Sequence, residues 1–197
     1  AYDRDAVTAS VAVERRFSPG LSGSIGLGFE DAEVTQDAEP RDYRLLFAPL
    51  TLRHDDTDAP LDPTRGLRLA AEVTPARVQE GEGGGFVRGR VVASGYWQPP
   101  VDDWQGRGGP APAADADVPD VPDGTDGGLA LSRTVLAARV ALGSIQGADV
   151  DDVPPDWRFY SGGGGSVRGF PFQSIGPRTR SGRPAGGDGL LEASVEL

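Results

Sequence analysis

The sequence alternates between two kinds of side chain. Over residues 5–16 (DAVTASVAVERR), Val7, Ala9, Val11 and Val13 fall on one side of an extended chain. Thr8, Ser10, Ala12, Glu14 and Arg16 fall on the other. Successive side chains of a β-strand point to opposite faces, so a period of two predicts a strand. The pattern returns at 23–29, 43–53, 67–74, 87–96, 134–144 and 190–197, which predicts seven strands. A helical period does not recur, and glycine sits inside most of the segments, where it disfavours helix. The 29 glycines and 17 prolines supply the turns between strands. Turns are expected at 17–22, at 54–66 and at the glycine-rich 80–85, and an acidic loop at 31–41. His54 is expected to be a solvated turn residue. Pro49 inside the third strand is expected at an edge or a bulge, because proline cannot donate to a sheet ladder. Residues 97–128 are mostly Pro, Gly, Ala and Asp, with Trp104 their chief large apolar residue. They read as a flexible insertion with no core of its own.

Composition closes off several classes of function. The net charge is −11 with no long basic run, so nucleic acid is not an expected partner. Cysteine is absent and His54 is the one histidine. Thiolate chemistry, a disulfide framework and most histidine metal sites are thereby excluded, and no metal or cofactor is expected. No Ser-His or metal-ligand constellation supports an enzyme. Methionine is absent even at position 1, which points to a processed chain or a fragment. No apolar run approaches the roughly 18 residues that read as a transmembrane helix, although membrane strands alternate and need no such run.

The polar face of the strands suits two architectures. It carries Glu14, Arg16, Arg68, Glu72, Arg88, Arg90, Arg139 and Glu196 among small Gly, Ser and Ala residues. Such a sheet can wrap a polar lumen and show its aliphatic face to lipid. The same alternation suits half of a soluble β-sandwich.

The least ordinary stretch is 158–177, RFYSGGGGSVRGFPFQSIGP. Four glycines precede Val167-Arg168-Gly169-Phe170, and aromatic residues alternate with glycine around one arginine in the middle, Arg168. A phosphate-cradling loop is excluded, because no Gly-Lys-Ser/Thr follows and the chain has no lysine. Aromatics in such a loop must fold back onto the molecule unless they stay exposed. Arg168 would travel with them and need a partner.

This stretch, the later Arg183-Pro184-Ala185-Gly186-Gly187 and the closing LLEASVEL resemble the transmembrane barrels of BamA/TamA-type outer-membrane assembly factors. In that family a glycine-rich turn, Val-Arg-Gly-Phe/Tyr, Gly-Pro-Arg and Gly-Gly precede a strand with an inward glutamate. The Asp62-Pro63-Thr64-Arg65-Gly66 turn is similar to the family's periplasmic turns. Tyr2-Asp3-Arg4-Asp5 and the wording FYSGGGGSVRGF are nearer the TamA type.

The resemblance implies an all-β fold: an antiparallel up-and-down sheet of about seven strands from a sixteen-stranded transmembrane barrel. Residues 1–197 would be an incomplete outer-membrane barrel domain interrupted by the 97–128 insertion, and so a fragment. It implies a non-catalytic role in inserting and assembling outer-membrane proteins in the bacterial outer membrane. Unfolded β-barrel or autotransporter chains would be the clients, outer-membrane lipid the surroundings, and an inner-membrane-anchored protein a partner. It also implies that the motif loop folds into the lumen. There Arg168 would be the anchor within Val167, Arg168, Gly169, Phe170 and Gln173, with Glu196 as its acidic partner and Glu192 as the alternative. Phe170 and Phe172 would pack on the inner wall, where Gln173 could hydrogen-bond. Two other readings remain: a two-partner secretion pore of the same superfamily, and a soluble β-sandwich adhesin or lectin.

Overall fold

The computed structural model describes residues 3–36, 39–79, 84–99 and 134–197. Eight antiparallel strands form one sheet: β1 (Asp3–Ser18), β2 (Leu21–Gln36), β3 (Glu39–Phe47), β4 (Leu50–Asp55), β5 (Gly66–Val78), β6 (Gly85–Trp97), β7 (Leu136–Gln146) and β8 (Gly189–Glu196). Each neighbour in space is a neighbour in sequence, apart from β3 and β4, which share one stave between β2 and β5. A single 3-10 turn, Pro155–Trp157, is the helical element among the described residues. The connections 19–20, 56–65 and 98–135 leave one end of the sheet, here the turn end. Those at 37–38, 79–84 and 147–188 leave the other, the loop end.

The predicted third strand is therefore two strands on one line. Gly28 faces Phe47 and, three residues on, Ile25 faces Leu50, so pairing resumes in the same register after the break. The gap falls at Ala48-Pro49, because Pro49 has no N–H to give. The remaining groups are used: Pro49 O accepts from Gly26 N at 2.9 Å and Ala48 N donates to Pro75 O at 3.0 Å. Proline thus sits inside the sheet at a break in the ladder that leaves the register unshifted, not at the edge or bulge expected for it. His54 belongs to β4 rather than to the following turn, with Nε2 3.5 Å from Asp56.

The acidic loop expected at 31–41 is largely strand. β2 runs on to Gln36 and pairs with β3 as far as Gln36–Glu39. The alternation never stops there, but its sense inverts. Ala32, Val34, Tyr43 and Leu45 point inward and are buried, while Asp31, Glu33, Asp42 and Arg44 point outward and are exposed. Acidic residues suggest a loop only when the polar face is assumed to be the inner one. Of the 97–128 insertion, Trp97 ends β6; residues 100–133 lie outside the described residues.

The outer face decides against a soluble sandwich. Val7 (75% exposed), Val11, Val13, Ile25, Leu27, Leu50, Leu52, Val91, Leu142 and Leu191 lie bare across the sheet from β1 to β8. Soluble monomers rarely expose an apolar patch beyond a few hundred Å². In a sandwich these side chains would pack on a second layer; here no described residue covers them. Phe17 and Trp97 sit at the turn end, where membrane strands place aromatic residues. The apolar part of β1 plus its acidic extension spans 16 residues. That is more than the 9–11 or so a tilted strand needs to cross a bilayer.

The buried core is on the inner face at the loop end. Ala32, Val34, Tyr43, Leu45, Ala76, Val78, Phe86 and Ile145 meet Val153 and Phe159 of the 147–188 connection. Nearer the turn end the inner face is polar.

Candidate functional site

The 147–188 connection folds back over the inner wall. Its first anchor is the 3-10 turn, which starts on Pro154-Pro155 and delivers Trp157. The indole packs edge-on against Phe47 and Phe86, with ring centroids 5.2 and 5.6 Å away. Arg88 on β6 donates from Nε to Trp157 O at 3.0 Å and lies 4.6 Å from the Phe159 ring centroid. Phe159 is 5% exposed and lies on Gly143. A Cβ at Gly143 would stand 2.6 Å from the ring, so only glycine leaves room.

The loop then closes on itself. Phe159 and Gly187 exchange two backbone hydrogen bonds at 2.9 Å. The buried Arg158 guanidinium donates to three carbonyls: Val153 O (2.9 Å), Ala185 O (3.0 Å) and Asp151 O (3.4 Å). These bonds tie the loop's entry to its exit. Gly186 completes the crossing at φ +75°, where a Cβ would press on Arg158 and Tyr160.

Two ion pairs tie the loop to β1 and β2. Arg4 Nη2 meets Glu30 Oε1 at 2.9 Å and Arg4 Nε meets Asp156 Oδ2 at 3.0 Å. Trp157 Nε1 donates to Glu30 at 3.5 Å. Burial is the main reason that the Asp156 carboxyl is pushed above its usual range; Arg4 opposes the shift and Glu30 adds to it.

The glycine run follows. Glu192 on β8 is buried on the inner wall and gathers three donors: Ser161 Oγ at 2.7 Å, Ser166 Oγ, and Arg139 Nη1 at 3.4 Å. The two serines flank the four glycines, so Glu192 holds both ends of that turn. Arg168 Nη1 lies 3.0 Å from Glu196 Oε1, with the two side chains 75% and 50% exposed. Arg168 does not reach Glu192, whose oxygens are already taken. Val167 is half-buried, and Gly169 has φ +84°.

Phe170 and Phe172 do not pack on the wall; they are 54% and 79% exposed. The wall positions that would receive aromatics are filled by Trp157 and Phe159, earlier in the chain. Gln173 takes φ +54° and its side chain forms no hydrogen bond among the described residues. The sequence reading missed Trp157, Arg158, Ser161, Ser166, Arg139 and the Arg4–Glu30–Asp156 cluster. One signal was available: Trp157-Arg158-Phe159 stands two residues before the glycine run, and a glycine on the facing strand leaves room for a ring.

The description "Omp85 superfamily domain" matches residues 1–197, the whole chain. The chain belongs to the Omp85 superfamily. Among solved structures it is similar to BamA from Haemophilus ducreyi lacking POTRA domains 1–3. The TM-score is 0.64 at 17% identity, over 98% of this chain and 37% of that one. At that identity the likeness speaks for the fold: a sheet of the BamA barrel type, here an incomplete barrel. The chain spans 37% of the length of the BamA chain it matches. Its place is the bacterial outer membrane.

Proposed function

We propose that this Omp85-superfamily chain is the loop-bearing wall of a non-catalytic factor that inserts and assembles outer-membrane proteins. In its finer form the role is TamA-like, with autotransporter or other unfolded β-barrel chains as clients and an inner-membrane-anchored partner. The observation that carries the reading is the pairing of a bare apolar outer face with an inner wall clasped by the glycine-rich 147–188 loop. A soluble binding module has no use for the first, and a simple pore has none for the second. In this reading Val167, Arg168, Gly169, Phe170 and Gln173 form the lumen-anchor segment and Glu196 takes the Arg168 charge. Further wall strands would cover Phe170 and Phe172.

The test is folding of unfolded outer-membrane proteins and autotransporters into liposomes that hold the intact protein. Faster insertion of several unrelated clients is expected. Export of one dedicated soluble client, with no acceleration of barrel insertion, would replace this reading with a two-partner secretion pore.

A further inference from the structure

A cavity of about 520 Å³ opens at the loop end of the inner wall, between β2–β3 and the 147–188 loop. That size is usual for small-molecule sites, which run from roughly 300 to 1,000 Å³. Its lining includes Arg41, Arg158, Arg178, Arg180, Thr179 and one carboxylate, Asp151. Four arginines to one acid in the lining is the reverse of the chain as a whole, whose net charge is −11.

None of the four arginines is ion-paired among the described residues. Arg158 is held by three backbone carbonyls, and Arg178 by two, Gly182 O and Ser174 O, each at 2.9 Å. A guanidinium has five N–H donors. Carbonyl bonds fix these two head groups in place and leave both with free donors and uncompensated charge. Arg41 from β3 and Arg180 from the loop have no side-chain partner among the described residues. Arginines that outnumber the one lining carboxylate and form no ion pair with it suit bidentate binding of phosphate oxygens.

We propose that this cavity binds a compact phosphorylated anion. Arg41 comes from β3 and the other three arginines from the 147–188 loop, and all four line one concavity. That favours a small polyanion over an acidic peptide, which would need charges spread along a groove. The phosphate could belong to a soluble ester or to a lipid head group. The site is independent of the Arg168–Glu196 contact.

The probe is inorganic pyrophosphate, titrated by calorimetry into the intact protein in uncharged detergent at low salt. Saturable one-to-one binding that weakens as salt rises is expected. The exposed pair of changes Arg41→Gln and Arg180→Gln is expected to weaken it at least tenfold with the melting temperature unchanged. No saturable binding, or binding indifferent to both substitutions, would overturn the site. Hexaglutamate binding more tightly than pyrophosphate would overturn the phosphate class in favour of an acidic peptide. Displacement of pyrophosphate by phosphatidic acid in mixed micelles supports the site with a lipid source. Failure to displace it supports the site with a soluble one.

Discussion

Arg168 and Glu192 differ in what surrounds them. Arg168 and Glu196 meet at 3.0 Å, but both stand largely in solvent. Exposed ion pairs contribute about 0–1 kcal/mol. Glu192 is buried and takes two hydroxyl donors and a guanidinium, the kind of charged hydrogen bond worth about 1.5–3 kcal/mol. The expectation follows that Glu192→Gln loosens the glycine turn more than Arg168→Ala does. Proteolysis of the 147–188 loop in the intact protein would measure it. Greater loss from Arg168→Ala would mean that Arg168 is enclosed by strands beyond this chain. A separate outcome belongs to function: Arg168→Ala is expected to slow client insertion even where loop protection is kept. Normal insertion by that variant would remove Arg168 from the mechanism. The motif and its acidic partners could be named from the sequence because the family resemblance points to them and period two sets Glu192 and Glu196 on one face. That Ser161 and Ser166 would take Glu192 was not visible, since it depends on how far the glycine turn folds over β8.

At the scale of elements, two connections are built in different ways. The 147–188 loop rests on aromatic packing against glycine. Gly143→Val puts a side chain where the Phe159 ring lies, and overpacking of this kind costs about 1–3 kcal/mol. Faster cleavage of the loop with the strand content unchanged by circular dichroism is the expected result; unchanged cleavage would show that Phe159 does not hold the loop. The 56–65 turn instead rests on carboxylates, Asp55 and Asp56 at its base and Asp58 within it. Asp58 accepts from Thr64 N at 2.8 Å, Thr64 Oγ1 at 2.5 Å and Arg65 N at 3.1 Å. These bonds favour the ionised form and lower its pKa from 3.8 to about 2, the Thr64 hydroxyl contributing most. A depressed carboxylate stabilises the turn above the unfolded value, and that contribution is lost as pH falls from 3.8 through about 2. The Thr64 and Arg65 amide resonances should titrate with a midpoint near 2 in the wild type and not at all in Asp58→Asn. A midpoint near 3.8 would show that the bonds do not form. The position of this turn was legible from Asp62-Pro63-Thr64-Arg65-Gly66. Its cage was not, because Asp58 lies outside that motif and reaches it only once the turn is closed.

For the whole molecule, the inversion of polarity along the strands matters more than any single contact. From Val7 to Val13 the outward side chains of β1 are apolar, whereas outward Asp5 at the loop end is acidic. On β2 the change comes between Phe29 and Asp31, its pairing partners being Ala9 and Val7. Across the sheet the inward face changes the opposite way, from Ser24, Thr51 and Glu72 to Ala32, Leu45 and Phe86. Period two made the strands legible in the sequence, but it cannot say which face is outside, and so 31–41 read as a loop. The inversion fixes the level at which the sheet leaves lipid. It therefore predicts that one substitution will have opposite costs on the two sides of that level. Leu27→Arg, inside the apolar band, should destabilise the intact barrel by about 2–4 kcal/mol. Glu33→Arg, only six residues along the same outward face, should cost under about 0.5 kcal/mol, as surface changes usually do. Urea unfolding of the intact protein in lipid vesicles would compare the two. Equal costs would mean that the outer face does not meet lipid where the side chains change character, and the membrane boundary drawn here would be wrong.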